Sequence, residues 1–310
     1  MKLVFMGTPH FAKEFLEHLY LKRTFDIKGV YTQAPKKANR GQKISLSAVH
    51  RFAKEKNLNI YHPNSFSKSD IDNLKKINPD VIVVASYGLI LPKEVLDIPC
   101  CGSVNVHASL LPKWRGAAPI QRSIMNGDTK TGISIMKIVE GLDEGPTYLQ
   151  TEIRISQNDT YEDIYNNLID IGKQTLDIYF SGKEPYAHIL PIPQDHKLAT
   201  YAKKISKSEM QIDFQDNALT AHKKICAFSP KPGAWFSLDS KKYKIFETEF
   251  ITKDKLKDFK NSKKLILSFK KDYLLVKKIQ KEGKNIVSIE DFERGNLNEL
   301  ENIKKNFSKH

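Results

Sequence analysis

Two polar side chains of complementary chemistry close an apolar stretch about a third of the way along the chain. Asn105 and His107 are separated by one residue in the run GSVNVHAS, which predicts a β-strand. Alternate residues of a strand share a face, so both side chains point the same way. An imidazole can exchange a proton near neutral pH, and an Asn amide can donate a hydrogen bond to a developing oxyanion. The alternative is a structural histidine, held by hydrogen bonds inside the protein.

A carboxylate follows a second strand-like segment. Asp143 lies between two glycines, directly after the apolar run TGISIMKIV. There it could orient His107 or relay a proton, although an Asp in a glycine-rich loop can also form a local Asx-turn. Because one strand end offers Asn105 and His107 and another offers Asp143, we predict that the three form a catalytic site.

The elements that must position these groups alternate along the first half of the chain. Strand-like runs such as KLVFM and DVIVVASYG alternate with amphipathic helical segments such as HFAKEFLEHLYL. Continuous apolar strands are typical of a parallel sheet covered on both faces. The alternation predicts a Rossmann-like, doubly wound, mostly parallel α/β sheet, in which ligands bind at the carboxyl ends of the strands.

A proline-bounded loop, SLLPKWRGAAPI, follows His107. Proline restricts its own backbone and that of the residue before it, so this loop should present its amides rigidly to a flat heterocycle. The alternative is a purely structural loop with Trp114 in the core.

The pattern changes in the last third of the chain. Short strands such as AWFSL, KYKIFETEF and YLLVKKIQ predict a smaller β-barrel or sandwich, and the proline-bearing segment before them predicts a linker. We divide the chain into a catalytic domain at 1–189, a linker at 190–206 and a C-terminal domain at 207–310.

Charge is unevenly distributed in this chain of net charge +14. Residues 1–200 contain 25 basic and 21 acidic side chains, whereas residues 201–310 contain 25 and 15. The first part therefore carries +4 and the second +10, which suggests a polyanionic partner or, alternatively, a solvated lysine-rich surface. A second basic segment, with Lys36, Lys37, Arg40 and Lys43 and no acid, should be a mobile loop positioned to grip phosphates, or a solvated one.

Composition excludes several other classes of protein. No apolar run approaches the roughly 20 residues of a membrane span, and the N-terminus reads as a strand rather than a signal peptide, so we expect a cytoplasmic protein without a membrane partner. The three cysteines form no CxxC pair and the nine histidines show no HExxH spacing, so we expect no metal. The lone glycine of MGTPHF argues against a dinucleotide site.

Four segments carry a resemblance to a known family. FMGTPHFA, VVASYGLILP, NVHASLLPKWRGAAPIQRSI and GLDEGP resemble the methionyl-tRNA formyltransferases, a family of folate-dependent formyltransferases. The resemblance covers residues 1–200 and continues through TYAKKISKSEMQIDF. It implies transfer of a formyl group from 10-formyltetrahydrofolate to the α-amine of initiator methionyl-tRNA, for translation initiation. It also implies an OB-like C-terminal barrel that adds tRNA contacts, no metal, and a monomer.

The resemblance also assigns residues by position. Catalysis is implied for Asn105, His107 and Asp143. The positions that fall on folate-binding segments are Ser109, Leu110, Leu111, Pro112, Tyr87, Gly88, Leu89 and Ile90. The positions that fall on the tRNA-binding basic loop are Lys36, Lys37, Arg40 and Lys43.

Two other functions fit part of the pattern. A formyltransferase acting on an amino sugar nucleotide would share the first domain and the chemistry, with less need of basic segments. A tRNA-binding protein with an inactive first domain would not need Asn105, His107 and Asp143 together. An assay with charged initiator tRNA would separate the two enzymes, and a folate affinity would separate both from the binding protein.

The basic segment generates the first testable prediction. Arg40→Ala should weaken tRNA binding and reduce the slope of log K against log salt by about 1, because one phosphate contact is lost. Binding of tetrahydrofolate, measured by titration, should be unchanged. An equal loss of folate affinity would assign the segment to the folate site instead.

Overall fold

The computed structural model describes residues 1–38, 43–181, 189–259 and 264–308, with backbone alone at 36–38 and 43–44. The chain forms two compact units. The first comprises Met1–Pro119, Thr131–Ile153 and Asn167–Ala202, and the second comprises Ile120–Lys130, Arg154–Asn166 and Lys203–His310. None of the helices in the described ranges is long and apolar enough to cross a membrane.

The strands and helices have the following bounds. The strands are β1 (Lys2–Gly7), β2 (Asp26–Tyr31), β3 (Lys36–Ala38), β4 (Lys43–Ser45), β5 (Ile60–Tyr61), β6 (Val81–Ala85), β7 (Ser103–His107), β8 (Arg115–Gly116), β9 (Lys130–Lys137), β10 (Thr147–Arg154), β11 (Tyr201–Ala202), β12 (Ala234–Leu238), β13 (Lys241–Ile251), β14 (Ile266–Ser268), β15 (Tyr273–Lys281) and β16 (Val287–Ser288). The α-helices are α1 (His10–Leu21), α2 (Ala48–Glu55), α3 (Lys68–Ile77), α4 (Lys93–Leu96), α5 (Pro119–Asn126), α6 (Tyr161–Tyr179), α7 (Ala218–Phe228) and α8 (Ile289–Phe307).

The first unit is built on a seven-stranded sheet in the order β10-β9-β7-β6-β1-β2-β5. The strands from β7 to β5 run parallel, and β9 runs antiparallel to β7. The chain therefore adds strands on both sides of β1, which confirms the predicted Rossmann-like, doubly wound, mostly parallel sheet. The central strand β6 is buried along its whole length, as its unbroken apolar sequence requires.

The second unit contains a five-stranded sheet in which β12, β13, β15 and β14 follow one another and β16 pairs with β15. All of these pairings are antiparallel, and Phe236, Ile245 and Leu274 form part of its core. This sheet is a half-barrel, which confirms the predicted smaller OB-like domain.

A C-terminal helix completes the second unit. The pattern of short strands in the last third of the chain does not predict this helix. Strand β16 ends at Ser288, whose hydroxyl accepts a hydrogen bond from the Asp291 amide and so caps α8. Phe292, Leu300 and Ile303 of this helix are buried in the core.

The segment predicted to be a linker is structured over most of its length. Ile192 pairs with Thr147, and β11 pairs with β8. Residues 190–202 therefore belong to the first unit, because their backbone is hydrogen-bonded to it. The second unit also takes in 120–130 and 154–166. The assignment of 1–189 and 207–310 as the catalytic and tRNA-binding domains stays a prediction.

The basic segment contains regular structure at both of its ends. β3 and β4 pair antiparallel, with Lys36 opposite Ser45 and Ala38 opposite Lys43. Lys36, Lys37 and Lys43 thus lie on a two-stranded ribbon rather than in the expected loop. Arg40 lies outside the described residues.

An ion pair in the second unit gives a prediction about stability and pH. Arg122 Nη1 lies 2.5 Å from Glu209 Oε1, and this hydrogen bond, with that from the Ser206 amide, lowers the pKa of Glu209 from 4.5 to about 2. The folded-state pKa lies below the unfolded one, so the contribution is full above about pH 4.5 and disappears as the pH falls towards 2. Glu209→Gln should therefore lower the free energy of unfolding by about 1 kcal/mol at pH 7, since the carboxylate is 34% exposed.

Urea denaturation at a series of pH values would measure this. The difference between wild type and Glu209→Gln should shrink steadily below pH 4.5. The control is Glu301→Gln, which removes an exposed pair with Lys304 and should have almost no effect. A constant difference down to pH 2 would contradict the prediction.

Candidate active site

The three predicted catalytic residues come together in the first unit. Asn105 lies in the middle of β7, His107 ends it, and Asp143 lies in the loop between β9 and β10. Asn105 Nδ2 lies 3.4 Å from Asp143 Oδ1, and His107 Nδ1 lies 3.6 Å from Asp143 Oδ2. One carboxylate thus faces both side chains: β9 ends opposite Val104, and the loop that follows it folds back towards Asn105 and His107.

His107 is enclosed, and both of its nitrogens face oxygen atoms. The residue is 6% exposed, and its Nε2 lies 3.0 Å from the carbonyl oxygen of Trp114. A carbonyl only accepts hydrogen bonds, so Nε2 carries a proton. Nδ1 faces the Asp143 carboxylate, which also only accepts. The doubly protonated imidazolium can donate to both oxygens, whereas the neutral ring can donate to one.

The Asp143 carboxylate is fixed by a backbone amide. Gly116 N donates to Asp143 Oδ2 over 2.8 Å, and the Asp143 backbone has φ 51°, in the left-handed region. Non-glycine residues adopt this conformation only where surrounding contacts hold it. Asp143 is therefore more than the residue of a local Asx-turn, since its carboxylate bonds across to another loop.

The Trp-Arg-Gly part of the loop after β7 is held by the segment once predicted to be a linker. Trp114 N donates to Thr200 Oγ1 over 2.9 Å, and Arg115 N donates to Thr200 O over 2.9 Å. Tyr201 then pairs with Arg115 in the β8–β11 ribbon. Trp114 is half-buried, with φ 61°, and is not a core residue as the structural alternative required.

The predicted folate-binding segment from Ser109 to Pro112 is rigid for a second reason besides its proline. Ser134 Oγ donates to Ser109 O over 2.6 Å and accepts from Leu111 N at 3.1 Å. Gln150 Nε2 donates to Leu111 O over 2.8 Å. The turn is closed within itself by Ser109 Oγ, which donates to Lys113 O over 2.6 Å. Leu110 is partly exposed beside it.

The other predicted folate-binding segment, Tyr87 to Ile90, follows the carboxyl end of β6. The Tyr87 ring is buried, which raises the pKa of its hydroxyl, and the Tyr87 carbonyl accepts from Gln33 Nε2 at 3.3 Å. Gly88 has φ 83°, and a Cβ there would lie 2.7 Å from Gln33 Nε2. Leu89 is half-buried and Ile90 is 87% exposed, so the segment ends in open apolar surface.

Several supporting residues were not found by sequence analysis. They are Ser134 and Gln150 under the Ser109–Pro112 turn, Gln194 beside the Asp143 loop, and Thr200. Each lies far along the chain from the group that it holds. No local motif marks them, because their contacts exist only once β9, β10 and residues 192–202 are packed against the loop after β7.

The candidate site does not coincide with the large cavity of the first unit. A cavity of about 810 Å³ opens near Cys100, Ser103 and Lys137. Ser103 begins β7 and Lys137 ends the antiparallel β9, so this cavity lies at the opposite edge of the sheet from His107. Its lining, as far as the described residues go, includes none of the predicted catalytic or folate-binding positions. In the described part of the chain, no group of three or more His, Cys, Asp or Glu side chains is arranged to hold a metal.

Comparison with known proteins identifies the family. The formyl transferase family model matches residues 1–177, and the model of the formyl transferase C-terminal domain matches residues 204–297. The chain therefore belongs to the formyl transferase family, as the sequence motifs indicated. Its curated relatives include the methionyl-tRNA formyltransferase of Wolbachia sp. subsp. Drosophila simulans (strain wRi), 40% identical over 95% of this chain and 96% of that protein. The methionyl-tRNA formyltransferase of Kosmotoga olearia is 38% identical over 96% and 97%.

Solved structures share the fold at lower identity. The N-formyltransferase from Helicobacter canadensis, in complex with folinic acid and dTDP-3-aminofucose, has a TM-score of 0.64 at 19% identity, covering 91% of this chain and 99% of that chain. HypX from Aquifex aeolicus, in complex with tetrahydrofolic acid, has a TM-score of 0.59 at 13% identity, covering 94% and 47%. At these identities the likeness concerns the fold.

The bonding of Ser134 generates a prediction. Ser134→Ala should lower the free energy of unfolding by about 1–3 kcal/mol, because the Leu111 amide and the Ser109 carbonyl lose a buried partner. Ser123→Ala is the matched control, since that buried hydroxyl donates only to Ile120 O of its own helix region and its loss should cost little. Urea denaturation of both variants would test this, and equal effects would contradict it.

Proposed function

We propose that this protein transfers the formyl group of 10-formyltetrahydrofolate to the α-amine of methionyl initiator tRNA. The observation that carries the proposal is the Asp143 carboxylate facing both Asn105 and His107 at the carboxyl end of β7. That arrangement occurs in a chain whose relatives at about 40% identity over nearly its whole length are methionyl-tRNA formyltransferases. The reaction class is acyl transfer to an amine.

The folate donor would bind against the two segments already described. The Ser109–Pro112 turn has its backbone fixed by Ser134 and Gln150, so it offers a preformed wall to a flat heterocycle. The Tyr87–Ile90 segment combines an exposed glycine backbone with open apolar surface. These features fit a ring system with polar edges and apolar faces. When bound, the donor supplies the formyl carbon that the amine attacks.

The three side chains of Asn105, His107 and Asp143 (the triad) take different parts in the reaction. The Asn105 amide has two hydrogens, and its contact with Asp143 uses one of them. The second can be donated to the formyl oxygen as negative charge develops there. Because Nε2 of His107 is engaged with the Trp114 carbonyl, we assign proton exchange to the side that faces Asp143. Asp143 orients His107 and helps take the proton of the amine, directly or through water. That proton would pass to N10 of the folate as the bond between N10 and the formyl carbon breaks.

The tRNA would be bound by basic surface. The +10 charge of residues 201–310 and the lysines of the β3–β4 ribbon are suited to phosphate contacts. We therefore assign tRNA binding to Lys36, Lys37, Arg40 and Lys43 and to the C-terminal domain. A role in translation initiation would place the protein in the cytoplasm, and a monomer stays the expectation.

The competing acceptor is an amino sugar nucleotide, which is present in the structure of the Helicobacter canadensis enzyme. Formylation of charged initiator tRNA and of a dTDP-amino sugar should be measured side by side with the same folate donor. We expect product only with the tRNA. Product only with the sugar would overturn the proposal, and folate binding without any product would indicate a binding protein.

The triad generates a prediction about rate. His107→Ala should lower kcat by roughly 10²–10⁴-fold, the usual effect of losing an acid–base group, with the Kd of tetrahydrofolate within about twofold. His107 also binds a buried carbonyl, so stability needs a control. His107→Gln offers that carbonyl an amide N–H but cannot exchange the proton, and should be as slow as His107→Ala while more stable. Near-normal turnover in either variant would contradict the role.

A further inference from the structure

We propose that Gln194 is a positioning residue for the formyl-transfer reaction, and that buried Arg115 acts through it. The inference rests on the proposed function, since it assigns a task within that site. Gln194 lies in the segment that sequence analysis treated as a linker. It is 8% exposed, which is unusual for a glutamine and requires that its amide be bonded inside the protein.

The amide nitrogen of Gln194 bonds to two carbonyls of the loop that carries Asp143. Nε2 donates to Asp143 O over 2.8 Å and to Gly145 O over 2.7 Å. Both of its hydrogens are thereby used, on two carbonyls that flank Glu144. Because Asp143 is held at φ 51°, this clamp supplies contacts that such a conformation requires. Without this clamp, Asp143 would be tied to the site only through its carboxylate, which bonds to Gly116 and Asn105.

The amide oxygen of Gln194 is held by Arg115. Arg115 Nε and Nη2 donate to Gln194 Oε1 over 3.1 and 2.8 Å. A guanidinium has only donors, so it decides which end of the Gln194 amide faces it and which end faces the Asp143 loop. Arg115 is 1% exposed, and its Nη1 also lies 3.5 Å from Glu144 Oε1. The buried cation therefore faces the same loop on two sides.

Three consecutive residues thus bond to His107, to Gln194 and to Asp143. Trp114 binds His107 through its carbonyl, Arg115 orients Gln194 through its guanidinium, and Gly116 binds Asp143 through its amide. Gln194 completes the set by tying the Asp143 backbone to the same loop. We infer that this arrangement holds the carboxylate at the separation from His107 that proton exchange needs. A displacement of about 1 Å at such a place can lower a rate by about 10²-fold.

Gln194→Glu tests the inference with a change of one atom. The carboxylate still accepts from Arg115, but it faces the Asp143 and Gly145 carbonyls without a hydrogen to donate. We expect kcat for methionyl-tRNA to fall by about 10–100-fold and the Kd of tetrahydrofolate to stay within about twofold. Gln150→Glu is the comparison variant, because it makes the same change against the Leu111 carbonyl at a more exposed side chain. That variant should instead weaken tetrahydrofolate binding.

Hydrogen exchange over residues 139–148 gives a readout that does not depend on activity. Gln194→Glu should speed exchange there and leave the β7 amides protected. If Gln194→Glu unfolds, Gln194→Met replaces it, since it keeps the volume without a buried charge. Unchanged kcat, or a loss of tetrahydrofolate affinity equal to that of Gln150→Glu, would overturn the positioning role. If the wild-type protein formylates no methionyl-tRNA, the proposed function fails, while the exchange measurement still decides whether Gln194 orders the loop.

Discussion

The site depends on keeping one carboxylate in place. Asp143 occupies a backbone conformation that favours glycine, and it lies on a loop with glycines at 141 and 145. Such a loop has little order of its own. Its order comes from Gly116 N on the carboxylate and from Gln194 on the backbone. In the proposed reaction, Asn105 and His107 act together only while this carboxylate faces both of them.

The sheet and the loops position the residues of the site in different ways. The parallel strands bring Asn105 and His107 to the carboxyl edge, where Asn105 is level with Val84 of β6. The loop after β7 then turns back on these residues, so that the Trp114 carbonyl reaches His107. Its stiffness comes from Thr200 and Ser134 as well as from its prolines. Rigid strands set the direction of the side chains, and cross-loop hydrogen bonds set the distances between them.

Neither compact unit is a single continuous stretch of the chain. Residues 120–130 and 154–166 precede the predicted linker, yet both belong to the second unit. Arg122 is paired there with Glu209, and buried His222 has its Nε2 3.2 Å from the Gln157 carbonyl. Burial lowers the pKa of His222, which suits a structural histidine. The last third of the chain is therefore bonded, within its compact unit, to segments that a boundary drawn along the sequence would assign elsewhere.

Sequence alone determined the fold class, the family and the identity of the three central side chains. Strand and helix periods are local, and the Asn-x-His and Leu-Asp-x-Gly motifs carry their chemistry in short stretches. Sequence did not reveal α8, the β3–β4 pairing, or the supporting Ser134, Gln150 and Gln194. The tertiary structure decided these because their partners are distant along the chain: Gln194 meets Arg115 across 79 residues. A hydrogen bond between remote segments produces no periodic pattern in the sequence of either segment. It can therefore be seen only in the folded structure.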